Sequence, residues 1–148
     1  MENLESNMQQ QVWQRVFARP EEARGEDLRT LLLTAMELAA GYRYLTGVLT
    51  GKQRERVRAL QKGEAANAAC LKGVAVLSGR GEEILKIWSP AKEPPRRLLE
   101  KSYHKTRRCM VEYMSRSAEP EFGTVFQKLA DREGSHCAML AELLGSLK

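Results

Sequence analysis

Two short stretches carry residue types that can build a polar centre inside a protein: Glu64-Ala65-Ala66-Asn67 and Glu133-Gly134-Ser135-His136. Residues three apart share a face of a helix, so each stretch points its first and last side chains the same way. Those faces are apolar. Val57, Leu60, Leu71 and Val74 repeat at alternating three- and four-residue spacing around Glu64 and Asn67, and Phe122, Val125, Phe126, Leu129, Leu140 and Leu144 do the same around Glu133 and His136. A carboxylate drawn into an apolar core needs a metal ion, a base or water as partner. Carboxylate oxygen with imidazole nitrogen is a donor set for iron, manganese or zinc.

The elements that position these residues read as all-α. Prolines occur only at 20, 90, 94, 95 and 120, and the stretches between them are rich in Leu, Ala, Glu, Lys, Arg and Met. Four long helices are expected over about 27–49, 51–78, 96–116 and 120–144, with Thr50 and Gln53 spaced as a capping box for the second and Pro120 opening the fourth. A short amphipathic helix over about 2–18, with Trp13 and Phe17, is expected to dock outside them. Residues 79–95 form a crossover with Gly79, Gly81, Pro90, Pro94 and Pro95, and its Ile84, Leu85, Ile87 and Trp88 require an apolar surface. Extended, that crossover reaches about 55 Å, more than the roughly 38 Å length of a 25-residue helix. Two antiparallel hairpins joined by a full-length connection follow, in a single domain.

The hairpins repeat each other. Glu37 and Glu64 are 27 residues apart about a centre at the Thr50-Gly51 turn, and Thr106 and Glu133 are 27 apart about Glu119-Pro120. A shift of 69 carries Glu37 to Thr106, Tyr44 to Tyr113, Leu60 to Leu129, Glu64 to Glu133, Asn67 to His136 and Leu71 to Leu140. A pseudo-twofold bundle would gather Glu37, Glu64, Asn67, Thr106, Glu133 and His136 at its centre.

At these residues the chain resembles the ferritin-like superfamily, most closely its rubrerythrin-like branch. That family carries a Glu followed seven residues later by a Tyr on helices one and three, and a Glu-x-x-His on helices two and four, around two irons. Glu37 with Tyr44 and Glu133 with His136 match it; Asn67 replaces a His and Thr106 replaces a Glu. The resemblance covers about 27–144 and lacks a rubredoxin-type iron domain. It implies one metal ion rather than two, iron, manganese or zinc, held by Glu37, Glu64, Glu133 and His136, with Asn67 and Thr106 as weaker candidates. Iron-dependent peroxide or oxygen chemistry of the oxidase or peroxidase type would then need an external electron donor. The alternative is a bundle that has lost its metal and serves as a structural or interaction module.

Composition sets outer bounds. The 148 residues have enough apolar content for a real core, and no apolar run reaches membrane-spanning length. The polar, acidic start of the chain is unlike a signal peptide, so a cytoplasmic location is expected. Cys70, Cys109 and Cys137 form no C-x-x-C pair, which leaves no cysteine knuckle for zinc or iron; Cys109 and Cys137 are expected as small buried hydrophobes. Twenty-four Lys and Arg against nineteen Asp and Glu is a modest excess, spread over mixed-charge segments without interleaved aromatics, so solvated helix faces are expected rather than a nucleic-acid surface. Trp13, Phe17, Ile84 and Trp88 suggest a homo-oligomer.

Overall fold

The computed structural model describes residues 20–79 and 92–147, with side chains from Leu28 onward. The expected helix over 2–18 and the apolar residues of the crossover lie outside the described residues. Within them the chain forms α1 (Pro20–Val48), α2 (Gly51–Leu77), α3 (Pro95–Arg116) and α4 (Gly123–Ser146), with no strand.

The boundaries follow local chemistry. Pro20 and Pro95 stand at the first positions of α1 and α3, where a fixed φ suits the helix and no N–H is needed. Thus α1 starts earlier than the expected residue 27. Pro120, by contrast, does not open α4 but sits in the preceding turn, which closes through the Gly123 N–H donating to the Glu119 carbonyl at 3.0 Å. A Cβ on Gly123 would fall on the Ser117 carbonyl, so this turn requires a bare backbone. Thr50 has the extended conformation of an N-cap but makes no side-chain cap bond. The capping box is therefore not formed: Gln53 Nε2 donates instead to Ser146 Oγ at 3.2 Å, and Arg54 Nε donates to the Leu49 carbonyl at 2.8 Å and closes the end of α1.

Burial follows a heptad-like stripe on every helix. On α1 it is Leu28, Leu31, Ala35, Leu38, Tyr42 and Leu45, continued by Leu49 just past its end; on α3 it is Leu99, Ser102, Thr106, Cys109, Tyr113 and Arg116. The expected stripe of α2 is buried; on α4 Phe126, Leu129 and Leu140 are buried, while Phe122, just before the helix, and Val125 and Leu144 are only partly covered and Leu143 takes the innermost place at the C-terminal end. Fully buried leucines such as Leu45, Leu60, Leu99 and Leu140 each contribute about 1.5–3 kcal/mol of apolar burial.

Two apolar clusters establish the topology. One joins Leu28 and Leu31 to Val74, Tyr113 and Phe126; the other joins Leu45 and Leu49 to Val57, Leu98, Leu99 and Leu143. The C-terminal end of α2 is thus at the first end of the bundle and the N-terminal end of α3 at the second. Packing is closer within the hairpins α1–α2 and α3–α4 than between them. Between the apolar clusters lies a polar layer: Glu64, Asn67, Thr106, Glu133 and His136, all buried.

Apart from Arg116, buried on the α3 stripe, most of the remaining charge lies at the surface. Arg96, Arg97, Arg107 and Arg108 are exposed, and Arg96 pairs with Glu100 at 3.2 Å one turn on, as expected of solvated faces. No described helix is long and apolar enough to cross a membrane.

Candidate metal centre

Helices α2 and α4 face each other across the bundle and each delivers a carboxylate into the polar layer. Glu64, Glu133 and His136 offer ligand atoms that all lie within 4.8 Å of one another, each side chain buried. His136 Nδ1 lies 3.0 Å from Glu64 Oε1 and 3.2 Å from Glu133 Oε1. One imidazole nitrogen therefore serves two carboxylates from different helices.

The other side of the layer is held by an amide. Asn67 Nδ2 donates to Glu133 Oε1 at 2.7 Å, and Arg132 Nη1 donates to Asn67 Oδ1 at 2.8 Å. A guanidinium can only donate, so Arg132 takes the amide oxygen and leaves the NH2 group turned toward Glu133. Asn67 was a candidate ligand through that oxygen; the structure turns it away from the carboxylates and makes Asn67 a hydrogen-bond donor to one of them.

The electrostatics follow from burial. Desolvation raises the Glu133 carboxyl, the hydrogen bond with His136 pulls it back, the adjoining Glu64 carboxylate pushes it up again, and the group ends at about 8. For His136 burial disfavours the imidazolium, but its hydrogen bonds with Glu133 and Glu64 and the charges of both carboxylates outweigh this and raise it to about 9. At neutral pH both groups hold protons, and the imidazolium is the centre's internal cation.

Glu37 does not join the cluster. It is partly exposed and pairs with Lys105 Nζ at 3.7 Å on the neighbouring helix. The reason is register. Only Leu49 and Thr50 separate α1 from α2, so the hairpin turns about the bond between them, one residue earlier than the Thr50-Gly51 centre. Moving the centre by one residue moves the facing position by two, or about 200° around a helix. Ala35, not Glu37, then stands opposite Glu64, and Tyr42, not Tyr44, is the counterpart of Tyr113. Both Ala35 and Tyr42 are buried, while Tyr44 is only partly so. In the second hairpin Thr106 does reach the layer, but a hydroxyl is all it brings.

Around the carboxylates stand further polar atoms. The hydroxyl of Tyr113 and the Oε2 of Glu133 are buried without a hydrogen-bond partner among the described residues, and the buried hydroxyls of Tyr42 and Thr106 lie beside each other. Side chains on a helix lean toward its N-terminus, so Tyr42 on α1 and Tyr113 on α3 approach the layer from opposite ends. Desolvation first, and then nearby charge including Glu64 and Glu133, raises both phenols, which stay protonated. Cys109, one turn beyond Thr106, is buried and pushed up to about 12, chiefly by desolvation, so it is a neutral thiol. Cys137 is half-buried and likewise raised by burial.

Sequence reasoning missed two residues that shape the site. Arg132 is one; the other is Gly63, where a Cβ would fall on Nε2 and Cε1 of His136. The imidazole lies against the bare backbone of α2, which turns Nδ1 toward the carboxylates. Gly134, inside the Glu-x-x-His, attracts notice in the sequence, yet a Cβ there would make only an ordinary 3.7 Å contact with Met110 Sδ. The signal for the pair was present: the 69-residue shift that relates the hairpins carries Gly63 onto Arg132.

The donor set fits one divalent ion. Ligand atoms about 2.1 Å from a common ion and 90–109° apart are about 3.0–3.4 Å from each other, the separation His136 Nδ1 has from both carboxylates. A proton on Nδ1 and a metal ion therefore compete for the same place. No family model, curated protein or solved structure matches the chain, and the chemistry of the centre is that of its own residues.

Proposed function

We propose that the chain is a ferritin-like bundle of rubrerythrin-like type that binds a single divalent metal ion through Glu64, Glu133 and His136. The convergence of three buried donors from two helices within 4.8 Å is the observation that carries this reading. Two carboxylates and one imidazole suit iron, manganese or zinc, and the loss of a carboxylate at Ala35 and Thr106 and of an imidazole at Asn67 limits the site to one ion. Iron bound there would supply redox chemistry toward peroxide or dioxygen, with electrons from an external donor. Glu64 and Glu133 bring the negative charge, His136 orients its Nδ1, and the apolar clusters on both sides exclude water. Three free cysteines accord with a reducing, cytoplasmic setting, and exposed Val111 and Met114 on α3 offer apolar surface to a second copy of the chain.

Metal analysis after loading with ferrous iron, manganese or zinc is the test, alongside Glu133→Ala and His136→Ala. About one ion per chain, lost in both variants, is the expected result. Affinity is expected to rise by at least about tenfold between pH 6.5 and 8.5, because the ion must displace protons from His136 and Glu133, which are raised to about 9 and about 8. Titration with Co2+ at both pH values measures this, and a flat profile would exclude these two ligands.

A second reading has its own observation. His136 already bridges both carboxyl groups from 3.0 and 3.2 Å, and its imidazolium together with the proton on Glu133 suffices for a metal-free bundle acting as a structural or interaction module. No metal uptake at pH 8.5, with the variants only less stable, would establish that reading.

A further inference from the structure

The polar layer is built from one contact made twice with different residues. Each helix of the α2–α4 pair places the residue before its Glu against the side chain three beyond the Glu of the other helix: Gly63 against His136, and Arg132 against Asn67. The shift of 69 interconverts the two contacts, carrying Gly63 to Arg132 and Asn67 to His136. On one side a missing side chain makes room for an imidazole. On the other a long side chain meets a short amide, and Arg132 Cδ comes within 3.6 Å of the place a Gly63 Cβ would take. The positive charge on this side comes from the Arg132 guanidinium, 2.8 Å from Asn67 Oδ1.

We propose that Arg132, acting through Asn67, replaces a second cation at this centre and restrains its metal binding. Arg132 is a positioning residue. By holding Oδ1 it obliges Nδ2 to donate to Glu133 Oε1, occupying a lone pair of that carboxyl and withdrawing the Asn67 amide oxygen from ligation. The inference rests on the metal-binding reading and extends it to a residue outside the ligand set.

The test compares the full-length protein with Arg132→Met, which keeps the stem and removes the charge, and with Arg132→Lys, which restores charge without the planar fork. Two readouts are taken: Co2+ affinity at pH 8, and the side-chain amide 15N–1H signals of Asn67 in the metal-free protein. In Arg132→Met the affinity is expected to rise at least about tenfold, as the competing cation goes and Oδ1 is released, and the Asn67 amide protons are expected to lose their protection from exchange. Arg132→Lys is expected to lie between the two. Equal Co2+ affinity in the wild type and Arg132→Met would overturn the role of Arg132 while leaving the metal site standing. Absence of binding in both would overturn the metal site and this inference together, and binding by Arg132→Met alone would support the inference most strongly.

Discussion

Replacing His136 by leucine is expected to cost the metal-free bundle about 3–5 kcal/mol at pH 8, the range for removing one partner of a buried charge pair. The imidazolium is the cation shared by Glu64 and Glu133 at 3.0 and 3.2 Å, and leucine leaves two carboxyl groups facing each other in a dry layer. The loss should shrink at pH 5, where protons can neutralise the carboxyls that the imidazole no longer serves. Urea unfolding of both proteins at pH 5 and pH 8 measures it. An equal loss at the two pH values would mean that His136 contributes packing volume rather than charge.

The wild type supplies the complementary sign. Both shifted groups are raised, so both contribute stability at low pH and lose it as pH climbs. For His136 the contribution is complete below its ordinary 6.5 and gone above about 9; for Glu133 it is complete below 4.5 and gone above about 8. The metal-free bundle therefore weakens toward alkaline pH while its affinity for a divalent ion grows. The rise in Tm on adding Co2+ should be largest at the alkaline end.

The second large effect reverses an ordinary rule. Gly63→Ala lies in the interior of α2, where alanine improves helix propensity by about 1 kcal/mol. Here the new methyl falls on the His136 ring, and forcing the ring aside is expected to give a net destabilisation of about 1–3 kcal/mol together with a large loss of metal affinity. Gly134→Ala is the control: its methyl meets only Met110 Sδ at 3.7 Å, so this variant should gain stability by about 1 kcal/mol and keep its metal affinity. Thermal unfolding of the two variants decides the matter. A Gly63→Ala protein more stable than wild type would remove the imidazole seat from the account of this site.

These two glycines show where the sequence speaks and where it does not. Periodicity located the four helices, because an apolar stripe on a helix can be read from spacing alone, and the interruptions at Glu64, Asn67, Glu133 and His136 marked the polar layer for the same reason. All four are buried there. The 69-residue repeat between α2 and α4 likewise holds through the layer, since it compares like helices and needs no knowledge of the turns. Glu37 was misplaced because its position depended on the centre of a two-residue turn, and a one-residue error there is doubled across the hairpin and becomes a half-rotation of the helix. Ala35 and Tyr42 take the places that Glu37 and Tyr44 seemed to hold. Which atom of Asn67 faces the carboxylates was equally beyond the sequence, because it depends on a guanidinium 65 residues away reaching across from α4. By itself the sequence determined which polar groups α2 and α4 bury; only the tertiary structure decided which face α1 turns inward and which buried groups meet, since that depends on turn geometry and on side chains arriving from another helix.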